Sequence, residues 1–158
     1  MKHFQIGTGH ARSAGMLFTR LMLGIIIFWQ GSGKIFTWTV PKVYTMFFKD
    51  FERTFLPQWL IWSTAYFTSY VEFLGGFLLI IGLFRKYALV LLGTCLIIVA
   101  FGHGLMEPIW NLEHIFPRSI FFLILVMAPQ EWDTLNVDAL LAKYKKNLKS
   151  PLGSSAPV

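Results

Sequence analysis

The stretch RLMLGIIIFWQGSGK, Arg20 to Lys34, lies within the hydrophobic span Ala14–Phe36 and places two cations inside it. At about 100° per residue on a helix, Arg20, Gly24, Ile27, Gly31 and Lys34 fall within roughly 40° of one line. Glycine lets a neighbouring helix approach closely in a membrane. A charge inside a bilayer costs about 2.5–3.5 kcal/mol or more unless it is paired or reaches water. A stripe of two glycines and two cations is therefore expected to face protein, with the chain's activity along it.

The rest of the composition agrees with a membrane setting. Of 158 residues 55% are hydrophobic and only 14% charged, against about 25% charged in soluble domains. Six tryptophans lie mostly near span ends, as interfacial anchors do. In a soluble chain the net charge of +6 would suggest nucleic acid. Here topology explains it, and no nucleic-acid partner is expected. One cysteine, Cys95, cannot form a disulfide within the chain, and without Cys-x-x-Cys there is no intrinsic dithiol exchange. No metal site, flavin site or phosphate loop is read from the spacing.

Outward from the first span the chain reads as one domain, 1–149, with a flexible tail at 150–158. Val43 to Leu56 puts Val43, Tyr44, Phe47, Phe48, Phe51 and Phe55 on one face and Lys49, Glu52 and Arg53 on the other. That pattern predicts an amphipathic helix in the first outer loop. Spans follow at about 59–84 and 87–106, separated by the basic turn Arg85-Lys86. In the second span Ala65, Thr68, Ser69, Glu72 and Gly76 form another stripe of small and polar residues. A fourth crossing is placed at about 111–129, starting or kinking at Pro117. Asn136 is a plausible N-cap for a basic amphipathic helix ending at Lys149. The expected fold is all-α: a four-helix transmembrane bundle with these two accessory helices.

Eight Lys and Arg residues fall in the N-terminus, second turn and C-terminal segment, and three in the first and third loops. By the positive-inside rule both termini are cytoplasmic in an inner (cytoplasmic) membrane. Depth counted from the span ends places Arg20 roughly 9 Å and Glu72 roughly 10 Å above the cytoplasmic edge. This predicts a buried Arg20–Glu72 pair. The same count puts Lys34, His103 and Glu107 within roughly 6 Å of the outer edge, beside Glu113, His114 and Arg118. The expected outward-facing site is therefore Lys34, His103, Glu107, His114 and Arg118, with Gln30 as a further ligand-binding candidate. Plainer roles stand beside each. Arg20 and Lys34 can snorkel to headgroups, an Arg20–Glu72 pair can serve assembly alone, and His103 can be a packing residue.

Arg20-Leu21-x-x-Gly24, Phe28-x-x-Gly31-x-x-Lys34, Glu72-Phe73-Leu74-Gly75-Gly76-x-Leu78-Leu79-x-x-Gly82-Leu83 with its basic turn, and His103 late in the third span together resemble the DoxX family of small four-helix membrane proteins. The resemblance covers roughly Met16 to Ala128. It implies a four-helix bundle and a quinone-linked redox context, since relatives include the membrane subunit of a thiosulfate:quinone oxidoreductase.

Two functions are expected from this. In the first, the chain is a quinone-linked oxidoreductase subunit. Lys34 or His103 would hydrogen-bond a quinone carbonyl, and His103 or Glu107 would exchange protons with the outer side. The electron donor would be a redox partner subunit or a diffusing molecule. In the second, the chain is a non-catalytic anchor or assembly subunit for a periplasmic or cytoplasmic partner. A small transporter is a weaker third, because four spans hold no inverted repeat. A homo-oligomer is compatible with each.

Overall fold

A computed structural model of the chain describes residues 8–107, 113 and 115–149, and every regular element among them is helical. Helix α1, Thr8–Ser32, continues into a π-helical turn at Gly33–Thr37. A short α2, Val40–Val43, precedes α3, Gln58–Ile81, and α4, Arg85–Met106. The last two helices are α5, Phe116–Met127, and α6, Val137–Lys149. Gly9–Thr37, Gln58–Ile81 and Arg85–Met106 are long and apolar enough to cross a membrane, whereas α5 is apolar but short. The first described helix begins at Thr8, six residues before the hydrophobic span that starts at Ala14. The tail 150–158 and the start of the expected fourth span, Asn111, lie outside the described residues.

Helix α1 packs on α3 and α5, and α4 packs on the same two helices. The α1–α3 seam is nearly backbone on backbone. A Cβ on Gly31 would collide with the backbone N and Cα of Phe73 and with Glu72, and one on Gly76 with the backbone of Phe28. Gly24 faces Ile80 and Gly76 in the same way. Each step up α1 is thus matched by one step back along α3, which fixes the antiparallel register. Both predicted stripes face protein: Gly24, Ile27 and Gly31 are buried, and so are Ala65, Thr68, Ser69, Glu72 and Gly76. Leu23, Ile27, Leu79, Leu92 and Leu125 complete the apolar core.

The ends of these helices have local causes. Gly82, at φ 68°, closes α3. Its N–H donates to Leu79 O at 3.2 Å and that of Leu83 to Leu78 O at 3.0 Å, the Schellman pattern that only a residue without Cβ forms cheaply. Asn136 caps α6 as expected, accepting from Ala139 N at 2.6 Å.

The loop between α1 and α3 differs from its expectation. In place of one amphipathic helix over 43–56 it holds α2, a π-turn at Tyr44–Phe48 and a 3₁₀ turn at Lys49–Arg53. These changes of winding curl the segment over the start of α3. Phe48, Phe51 and Leu56 meet Val40, Tyr44, Ile61 and Ala65 there. Tyr44 stacks on Trp62 at 3.7 Å and 5°, and its hydroxyl donates to Glu52 at 2.6 Å. That hydrogen bond, then burial, holds the phenol above its ordinary pKa, so it remains a donor into the alkaline range.

If the glycine contacts set the register, Gly31→Ala and Gly76→Ala each cost about 1–3 kcal/mol through overpacking, read as a lower thermal midpoint in detergent. Gly15→Ala, whose Cβ would meet nothing within 4 Å, leaves the midpoint unchanged or higher. Equal midpoints for all three would remove this account of the register.

Candidate functional site

The register brings charges together in two places. At one end Arg20 reaches the last turn of α3. Its Nη1 donates to Leu79 O and Ile80 O, both at 2.7 Å, and Nη2 donates to Leu135 O at 2.7 Å. The last carbonyls of a helix lack intrahelical donors and carry partial negative charge, so a guanidinium fits there. Its counter-charge is Asp133, whose Oδ2 lies 3.2 Å from Arg20 Nε and 3.8 Å from Arg85 Nη1. The Arg20 and Asp133 side chains are 1% and 0% exposed. Arg85 also donates to Leu125 O at 2.5 Å.

The segment carrying Asp133 is stitched in on both sides. Ser13 and Thr134 share a hydrogen bond of 2.6 Å, and Arg12 lies over the Trp132 ring. The Asp138 carboxylate accepts from Phe84 N at 3.1 Å and Arg85 N at 3.2 Å. It thereby caps the start of α4, where Phe84 takes an unusual φ of 50°.

The second cluster lies farther along α1. Lys34, on the π-turn, places Nζ 2.7 Å from Glu72 Oε2; the two side chains are 21% and 6% exposed. Such single turns of wider helix are frequent at functional sites. The Cys95 thiol points to Glu72 Oε1 at 3.9 Å. Beside the carboxylate is a small cavity of about 10 Å³, lined by Gln30, Glu72, Cys95, Arg118 and apolar residues including Ile27 and Leu96. That is room for about one water. Gln30 Oε1 is buried and has no hydrogen-bond partner among the described residues.

These positions correct two expectations. Arg20 and Glu72 do not pair: Arg20 is bound to Asp133 and the end of α3, Glu72 to Lys34. A depth count inward from opposite span ends makes Arg20 and Glu72 level, whereas the glycine contacts slide Glu72 to the level of Gly31. The expected outer cluster also divides. Lys34, Gln30 and Arg118 gather around Glu72, while His103 and Glu107 are exposed on the last turn and C-cap of α4 and line no part of the cavity. His114 lies outside the described residues. Sequence reasoning missed Asp133 and treated Arg85 as a loop cation, although Arg85 is buried in the first turn of α4. The available signal was an acidic residue just beyond the fourth apolar run, at the same end of the expected spans as Arg20 and Arg85.

A family model described as DoxX matches residues 15–104, more than half of the chain. The chain belongs to the DoxX family. With its apolar helices, that makes it a membrane protein. The DoxX match takes in Arg20, Gln30, Lys34, Glu72, Arg85, Cys95 and His103 and stops before Glu107, Arg118 and Asp133. No curated protein and no solved structure matches the chain.

Removing the charge of Asp133 leaves two buried guanidiniums uncompensated. Asp133→Asn is expected to cost about 3–5 kcal/mol, the range for breaking a buried pair from one side. The nearby exposed Glu131→Gln should change the thermal midpoint little. Equal effects of the two would show that the network does not hold this end of the protein together.

Proposed function

We propose that this DoxX protein is a quinone-linked membrane redox subunit with its polar site at Lys34, Glu72, Gln30, Cys95 and Arg118. One observation carries the reading: the ion-paired cluster lies directly behind an apolar groove between α4 and α5. The groove holds about 430 Å³ and is lined by residues including Gly93, Ile97, Ile115, Ser119 and Phe122. Leu96 lines both this groove and the small cavity against Glu72. Ionisable groups inside a membrane mark pathways for substrates, ions or protons, and ligand sites are mainly apolar with a few convergent polar groups.

The fit to a quinone can be tested on these dimensions. The small cavity admits a water but no ring, whereas the groove falls within the usual 300–1,000 Å³ range of small-molecule sites. Within the groove Thr94 and Ser119 already donate to Val90 O and Ile115 O. A carbonyl would therefore take its donor from Arg118, which lines the cavity behind Leu96. A bound quinone supplies two-electron, two-proton redox chemistry. The chain would hold the ring with its apolar wall and offer a cationic donor to an oxygen. The Glu72 carboxylate would balance that cation.

The finer topology belongs to the same proposal. Helix α5 is the fourth crossing, completing a four-helix bundle in the inner membrane. Arg12, Lys86, Lys143, Lys145 and Lys146 lie on the cytoplasmic side with both termini, in keeping with the positive-inside rule.

Titrating nanodisc-embedded protein with a short-chain ubiquinone or menaquinone analogue, followed by tryptophan quenching, tests the function. Saturable binding is expected, lost in Gly93→Leu, which fills the groove, and weakened about tenfold or more in Arg118→Gln, as loss of a charge-assisted donor would do. Absence of saturation, or binding indifferent to both substitutions, would overturn the reading and favour an anchoring role.

A further inference from the structure

Helix α6 is rooted firmly at one end and uncovered along the rest. Asn136 caps it, Asp138 N donates to Gly82 O at 3.1 Å, and the Asp138 carboxylate holds the start of α4. From Leu140 onward its described side chains are exposed. Leu140, Leu141, Tyr144 and Leu148 lie within about 60° of Val137 on a helical wheel. Tyr144 is 64% exposed and Leu148 67%. Lys143 and Lys145 flank this apolar strip and Lys146 stands opposite it.

We infer that α6 lies on the anionic surface of the same membrane the chain spans, with the Leu140–Leu148 strip in the acyl boundary and Lys143 and Lys145 on acidic headgroups. Three observations select that occupant. The strip is flanked by cations and the described part of α6 beyond Asp138 bears no acidic residue, which matches an anionic leaflet. The root of α6 is the turn between α3 and α4, two helices apolar enough to span, so the helix starts at the membrane boundary. Exposed Lys86 and Arg12 belong to the same end of the molecule, the latter over Trp132. A second consequence follows from connectivity. Residues 133–138 carry both the root of α6 and the counter-charge of Arg20 and Arg85, so seating α6 on acidic lipid also holds that ion-paired end closed.

Spin labels test the placement in the full-length chain, because Cys95→Ala leaves no other cysteine to react. Labels are attached after Leu141→Cys or Lys146→Cys, and the protein is placed in phosphatidylcholine nanodiscs with or without phosphatidylglycerol. With phosphatidylglycerol, the label at 141 should become several-fold more accessible to oxygen than to a water-soluble nickel chelate, and the label at 146 should show the reverse. Each lysine near an acidic leaflet strengthens attachment roughly fivefold, so Lys143→Gln with Lys145→Gln should lower seating by about 25-fold. Amide exchange over 133–138 should accelerate in step. Both labels seeing water, or a contrast indifferent to phosphatidylglycerol and to the lysine substitutions, would overturn the proposal. So would a label at 141 shielded from both reagents in proportion to protein concentration, which would mean a second copy covers the strip.

Discussion

Helices α1 and α3 touch through their backbones, and most of what is distinctive about the molecule follows from that contact. Lipid tails are as apolar as leucine, so membrane helices gain little by hiding apolar faces from them and associate through close packing and polar contacts. Gly31 against Phe73 and Gly76 against Phe28 allow that closeness in only one alignment. The alignment then decides which charge meets which. Arg20 arrives at the last carbonyls of α3, and Lys34 arrives at Glu72.

The two clusters solve the same electrostatic difficulty differently. At Arg20 the answer is a crowd of partners: three backbone carbonyls, a carboxylate shared with Arg85, and a segment returning from beyond α5 to deliver it. Little in it is free to move. At Glu72 the partners are fewer, and they include a partly exposed lysine, a thiol at long range and a half-buried arginine around a water-sized space. The first arrangement suits a clamp. The second, set behind an apolar groove, suits a place where something binds.

Helical periodicity made much of this legible. The small and polar stripes of α1 and α3 had to face protein, and they do. The Asn136 cap was readable because side-chain capping is local chemistry. Pairing was not readable in the same way, because it depends on how far one helix slides along another. The glycines held that information, but only as a pair of surfaces brought together. Periodicity also says which residues share a face without saying where the face turns. His103 and Glu107 stand one turn apart at the end of α4, yet both are exposed. Asp133 escaped notice because it follows a 3₁₀ turn, where no repeat marks its direction.

The stitch made by Asp133 bears on where this protein can be divided. Arg20 and Arg85 fall inside the portion matched by the family model, and the acid that neutralises them lies some thirty residues past its end. A fragment trimmed to that shared portion would inherit the guanidiniums and lose their anion. The portion shared with the family model and the electrically balanced unit thus have different borders in this chain.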